Sequence, residues 1–142
     1  MSRVSVPLSW DDFGSFIAEA NGSVSPRKGC VAIQGTAENQ AKPLAYNASA
    51  QALTVIGVFQ EDADAGQPVR IAMPGQVGIV RTIGAPTPLE YLEAGAGSAT
   101  DAENGMLGIY GPATGKLTVA KALETGAAKS YIKAAIMCVK FP

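Results

Sequence analysis

The chain has 142 residues, the size of one domain that buries roughly two-thirds of the surface its unfolded form exposes. Hydrophobic residues make up 47% of it and charged residues 16%, and its formal net charge is −1. Its Lys and Arg residues are scattered, so it lacks the cationic face that nucleic-acid binding needs, and no apolar run approaches the roughly 20 residues of a membrane span. We therefore expect neither a nucleic-acid nor a membrane partner.

Composition also limits the chemistry. Histidine is absent, which removes Ser-His-Asp and Cys-His nucleophile systems and most catalytic zinc sites. Cys30 and Cys138 are far apart, and we expect free, buried thiols, with a disulfide between them as the alternative. The prediction is that the chain is not an enzyme and holds no cofactor or metal.

The N-terminal segment 1–8 alternates apolar and other residues, as an extended strand does. The apolar set is Val4, Val6 and Leu8, and between them stand Arg3, Ser5 and Pro7. Such a segment is either a frayed terminus or a strand donated to a neighbouring surface. It has no continuous apolar core of the secretory type, so we expect synthesis in the cytoplasm of the cell that makes it. We assign 1–8 to an extended arm and 9–142 to a single β-rich domain.

A first short helix is predicted after the arm. Ser9 is placed as its N-cap, with Asp12 completing a capping box. Apolar residues then recur at helical spacing, and Asn21-Gly22 provides a stop. These apolar residues are Phe13, Phe16, Ile17 and Ala20. The alternative is a loop whose aromatic residues rest against a partner.

A second helix, of one to two turns, is predicted to begin at Thr87, where an N-cap residue is followed by Pro at the first helical position and Glu at the third. Leu89 and Leu92 would face inward, and Gly95 would end the helix.

Most of the remaining pattern predicts strands. One is predicted at Gly29–Gln34, and another at Leu44 with Tyr46. The stretch Leu53–Ile83 is typical of three successive antiparallel strands separated by turns at 64–66 and 73–75. Met106–Tyr110 and Lys116–Ala120 are predicted to pair as a hairpin.

The last segment, Tyr131–Phe141, fits helical spacing as well as a strand, and we choose a strand because the other strands need a closing partner. The fold class is therefore mainly β, a small β-barrel or β-sandwich with one or two short helices. We find no internal repeat.

Three candidate sites fail on their spacing. Glu61, Asp62 and Asp64 suggest a calcium loop, but the twelfth position is Met73 where an EF-hand needs Glu, so a solvated turn is favoured. The segment 111–116, GPATGK, is one residue short of a phosphate-binding loop. Lys129 and Ser130 could form a Ser-Lys catalytic dyad, but they are adjacent, and adjacent side chains in a strand point to opposite faces.

A family resemblance rests on Ile56–Phe59, Asp64–Ile71 and Gly75–Gly78. In this stretch a strand leads through an Ala-Gly-Gln turn into a second strand and then a Gly-containing turn. The pattern resembles the tailed-phage capsid decoration proteins, also called cement or head-stabilising proteins.

The resemblance implies a structural virion protein on the outer surface of an icosahedral capsid, present as homotrimers that bridge major capsid proteins and stabilise the shell. Low charge, the apolar arm and the lack of a catalytic motif suit that role. We expect capsid contacts from Arg3, Val4, Val6, Leu8 and Trp10. The alternative is a β-rich virion binding module, in a tail or for a receptor or glycan.

Overall fold

The computed structural model describes residues 13–21, 24–44, 55–93, 106–109 and 117–140. Within these ranges the chain forms ten strands and no helix, so the mainly-β prediction is confirmed. The strands are β1 (Gly14–Ala18), β2 (Val31–Gln34), β3 (Gln40–Pro43), β4 (Val55–Phe59), β5 (Pro68–Ala72), β6 (Val77–Arg81), β7 (Tyr91–Glu93), β8 (Gly108–Ile109), β9 (Leu117–Ala122) and β10 (Tyr131–Lys140). A search of the same ranges for a helix long and apolar enough to cross a membrane finds none.

The first five strands close into a barrel in the order β1-β3-β2-β4-β5, and we call this half unit 1. β1 and β3 are parallel, and the other neighbours are antiparallel. Alternate residues of each strand point inward, and Phe59, Val69 and Ile71 fill the interior together with small alanines. Closure leaves this half without a free sheet edge.

The other five strands form a sheet in the order β6-β10-β9-β7-β8, which we call unit 2. Its outer strands meet, because a parallel bridge joins Thr82, just after β6, to Leu107, just before β8. The backbone N–H of Leu107 donates to Arg81 O, and the N–H of Ile83 donates to Leu107 O, each at 3.0 Å. The sheet therefore curls back on itself as unit 1 does.

The two units have the same topology. Replacing β1 to β5 by β6, β7, β8, β9 and β10 in turn reproduces every strand neighbour, with the same parallel or antiparallel sense. Even an irregularity recurs: the register shifts between Ala32 and Ile33 opposite β4, and between Leu92 and Glu93 opposite β9. The expectation that the chain has no internal repeat is wrong, because the chain is a tandem pair of one five-stranded unit.

A single apolar cluster joins the two units. Val31, Val58 and Ala72 on the outside of unit 1 pack with Val80 and Ile136 of unit 2, all essentially inaccessible to solvent. Burying such side chains contributes roughly 1.5–3 kcal/mol each for the larger ones, so the units form one body.

The predicted first helix is wrong over the described residues, where 14–18 is β1. Gly14 is a poor helix former, and the strand is held on both sides, antiparallel to β5 and parallel to β3. Ser15 and Ile17 point to solvent while Ala18 is buried, the alternation of a strand. Ser9–Asp12 lie outside the described residues.

The predicted second helix is also wrong. Thr87 and Glu90 make the expected capping contacts, since the Thr87 N–H and hydroxyl both donate to Glu90 Oε1 at 2.7 Å. The chain then turns, with Leu89 at φ 72° and 65% exposed, and enters β7. Leu92 is buried as predicted, but from a strand.

The strand predictions succeed in position more than in pairing. Each of the predicted strands from Gly29 onward contains or adjoins an observed one, and β10 settles the ambiguous last segment as a strand. β4 and β5 pair as expected, but β6 leaves for the other sheet, where it pairs with β10. The predicted hairpin is wrong, because β7 lies between β8 and β9 and pairs with both.

Candidate functional site

A cleft of about 470 Å³ opens where the two units meet. Unit 1 supplies two of its loops, 25–27 and 62–67, and unit 2 supplies Arg81 at the end of β6 and Tyr131 at the start of β10. Arg81 and Tyr131 are paired directly across β6 and β10, so the sheet fixes their relative position. The volume of the cleft lies in the range of small-ligand sites.

Tyr131 is the aromatic centre of this cleft and is 48% exposed. Lys28 Nζ lies 5.3 Å and Arg81 Cζ 5.5 Å from the centroid of its ring, both within the range of a cation–π contact. Arg81 Nε also donates to Lys129 O at 3.4 Å. The cationic side of the cleft is therefore ordered around one ring.

The acidic residues of the cleft belong to the loop for which the sequence favours a solvated turn. Asp62 Oδ1 accepts from the Lys28 backbone N–H at 2.8 Å, and Gln67 Oε1 accepts from the Asp64 N–H at 3.2 Å. Glu61 Oε2 accepts from the Arg70 N–H at 3.3 Å. The Glu61 and Gln67 side chains close the turn, and the Asp62 carboxylate links it to Lys28 on the neighbouring loop. In the described residues no group of three or more His, Cys, Asp or Glu is placed to hold a metal ion.

The resolved pKa shifts lie away from this cleft or at its back. Hydrogen bonds from Thr36 lower the pKa of Glu19, and hydrogen bonds from Thr87 lower the pKa of Glu90. Burial raises the pKa of both thiols, Cys30 and Cys138, to about 11. The thiols are free, as predicted; Cys30 is buried and Cys138 is half-buried.

Two sets of sequence predictions lie outside the described residues. One is the set of predicted capsid contacts, Arg3, Val4, Val6, Leu8 and Trp10, and the other is the segment 111–116. Lys129 and Ser130 lie in the turn before β10, and Ser130 Oγ donates to Ala127 O at 2.6 Å. Neither Arg81 nor Tyr131 is among the site residues predicted from the sequence. Arg81 and Tyr131 lie beside loops 25–27 and 62–67 only because the two units pack together. The alternation of apolar and polar residues along the sequence does not indicate that packing.

Comparison with solved structures finds a similar fold in the head fiber gp8.5 N base of bacteriophage phi29, with a TM-score of 0.57 and 15% sequence identity. The match covers 92% of this chain and 98% of that chain. No protein-family model matches the chain, and no curated protein matches it. At this identity the similarity establishes a common fold across nearly the whole length of both chains.

Proposed function

We propose that this protein is a structural component of a phage virion that decorates and stabilises the outer surface of an icosahedral capsid. The observation that carries the proposal is the fold shared, over nearly its whole length, with a phage head fiber base. The turn and strand pattern of 56–78 that resembles capsid decoration proteins supports the same class, and the low share of charged residues suits a surface that is covered in the virion.

In this proposal homotrimers bridge neighbouring major capsid proteins, and the arm 1–8 with Trp10 makes part of the contact with the shell. Alternating apolar residues in the arm are suited to adding a strand to a neighbouring sheet. Several weak contacts per trimer would add up through avidity, so no single contact needs to be strong.

The test uses purified protein and expanded, undecorated capsids of the same virus. We expect the protein to co-sediment with the capsids to a saturating ratio. Removal of Met1–Leu8 should weaken binding while the circular dichroism spectrum of the domain stays unchanged. A full-length chain with Val4, Val6 and Leu8 replaced by Ser should behave like the deletion, and Ser2→Ala with Ser5→Ala is the matched control. Absence of binding by the wild type contradicts the proposal.

The junction cleft favours a second candidate, a virion module that binds a receptor or glycan. Sugars are bound by planar polar side chains together with an exposed aromatic ring, and Arg27, Asp62, Gln67 and Tyr131 line one cleft. If the protein binds host-cell glycans, loses that binding in Tyr131→Ala, and has no affinity for capsids, this candidate replaces the first.

A further inference from the structure

The junction inside the chain has a defined contact between a loop face of unit 1 and the outer edge of β6. Gly29 O accepts from the Arg81 N–H at 2.8 Å. The Gln60 amide bonds both backbone groups of Ile79. The approach is close, because a Cβ at Gly29 would lie 2.7 Å from Arg81 N. Gly29 and Gln60 thus form the contact surface on unit 1.

The repeated hydrogen bonds identify the counterparts of these residues in unit 2. The bond from the Gly29 N–H to Phe59 O recurs from Leu89 to Ala122, and the bond from Phe59 to Cys30 recurs from Ala122 to Glu90. The bond from the Gln60 N–H to Arg70 O recurs from Leu123 to Lys133. Leu89 and Leu123 therefore stand in unit 2 where Gly29 and Gln60 stand in unit 1. We call these two leucines the tail face.

The opposite surface is found in the same way. The bond from the Ala18 N–H to Gln67 O recurs from Thr82 to Ser130, so the neighbouring residues Ile17 and Pro68 correspond to Arg81 and Tyr131. We call Ile17 and Pro68 the head face. Unit 1 thus has the apolar Ile17 and Pro68 at the positions where unit 2 has the cationic Arg81 and the aromatic Tyr131.

Both faces are open in the single chain. Leu89 is 65% exposed, Leu123 43% and Ile17 39%, and together they are three of the five exposed large hydrophobic residues in the described ranges. If the two units were related by a twofold axis, the tail face would be covered by the head face of the same chain. The exposure of both shows that the relation is head-to-tail and that it does not close within one chain.

We propose that a second copy of this chain docks its head face on the tail face, so that the contact between copies repeats the arrangement of unit 1 on unit 2. The head face and the tail face are the two surfaces that the internal repeat leaves uncovered, and both carry large apolar residues. Burying the two faces against each other removes these residues from water. A second copy is the partner because one chain carries both surfaces, related by the operation that already joins its units. Such a heterologous contact builds rings when the rotation closes.

The contact between copies is looser than the junction within the chain. Leu89 adds a side chain where Gly29 has none, and the buried Val31 and Val58 are replaced by the half-buried Tyr91 and Lys121. Lys121 Nζ lies 5.2 Å from the Tyr91 ring centroid, which gives this surface a polar centre. A mixed surface of this kind suits copies that fold singly and then assemble.

This inference goes beyond the proposed function, because it fixes which surfaces meet and does not need a capsid. The test is the mass of the purified full-length chain by light scattering over a dilution series. We expect a wild-type oligomer, and we expect Ile17→Lys and Leu89→Glu each to reduce the mass to that of one chain. Combining the two substitutions in one chain should restore the oligomer, because the new ammonium group on the head face of each copy then meets the new carboxylate on the tail face of the next.

Val139→Lys is the matched control, since Val139 is 40% exposed but belongs to neither face, and this variant should keep the wild-type mass. Circular dichroism checks that each variant folds. A wild type that is monomeric at every concentration overturns the inference, as do single variants that keep the oligomer or a double variant that stays monomeric. Failure of capsid binding leaves these masses unchanged and so contradicts the proposed function alone, whereas a monomeric wild type also removes the homotrimers from that proposal.

Discussion

The Gln60 side chain occupies the place of a neighbouring strand beside Ile79. Gln60 Oε1 accepts from the Ile79 N–H at 2.9 Å, and Gln60 Nε2 donates to Ile79 O at 3.0 Å. Gln60 is 3% exposed, so both bonds form away from water. Backbone groups at a buried sheet edge need partners, and this one amide from unit 1 satisfies two of them on β6. It is therefore a polar contact that fixes the two units against each other.

Replacing Gln60 by Leu should lower the free energy of unfolding by about 2 kcal/mol, because two buried backbone groups of Ile79 lose their partners. Leu stands at the counterpart position 123, so the local backbone accepts it. Urea unfolding measures the change. Gln34→Leu is the control, because Gln34 is exposed and its side-chain amide bonds Ala37 O within its own hairpin; it should change stability by less than about 0.5 kcal/mol. Equal losses in the two variants would contradict this account.

Gly29 and Gly66 both need glycine for their backbone conformation, but only at Gly29 would a side chain also clash with a neighbouring residue. Both have positive φ, 82° and 90°, which costs a residue with a side chain about 1–2 kcal/mol. A Cβ at Gly29 would also lie 2.7 Å from Arg81 N, whereas nothing lies within 4 Å of one at Gly66. We expect Gly66→Ala to cost about 1 kcal/mol and Gly29→Ala clearly more, because the second also pushes the units apart. Urea unfolding of both variants decides; similar losses would show that the junction yields freely.

The type and position of most strands were predictable, because alternation in 68–72 and 77–81 reports one buried face. The two helix predictions failed where short apolar runs fit either period. At Phe13–Ala20 two flanking strands outweigh the helical spacing, and at Thr87–Glu90 a capping contact forms but the chain turns at Leu89. Such outcomes depend on partners distant in sequence.

The internal repeat escaped detection because its two copies have diverged in residues and in spacing. Identical counterparts include Gly14 and Gly78, Pro26 and Pro86, and Glu61 and Glu124, separated by 64, 60 and 63 residues respectively. No fixed period exists to find. What persists is backbone geometry: the Gly66 position, with φ 90°, is held by Lys129 at φ 57°. The junction cleft was unpredictable for the same reason, since it forms only once the units are paired.

Acid should weaken the fold through Glu19 and Glu90. Hydrogen bonds from Thr36 to Glu19 and from Thr87 to Glu90 lower the pKa of both carboxyl groups from the usual 4.5. Their stabilising contribution is therefore complete above pH 4.5 and is lost as the pH falls through the lowered values. Free energies of unfolding measured from about pH 6 downward should fall less steeply in Glu19→Gln and Glu90→Gln than in the wild type. Glu38→Gln, at an exposed turn between β2 and β3, is the control. Parallel curves for all three variants and the wild type would contradict the assignment.

The two thiols should be nearly inert in the folded protein. Burial raises the pKa of Cys30 and Cys138 from 9.0 to about 11, so the reactive thiolate at about pH 8 is reduced by about a hundredfold. Iodoacetamide followed by mass spectrometry should show slow labelling that becomes fast in urea. Cys30, at 2% exposure, should be the slower of the two, and Cys30→Ala assigns the signals.

Since the thiolate fraction grows with pH up to about 11, labelling of the folded chain should continue to accelerate well above pH 9.0. Labelling of Cys30 in the native protein at the rate seen in urea would mean that the contact between unit 1 and β6 opens readily. The tight junction inferred from Gly29 and Gln60 would then be wrong.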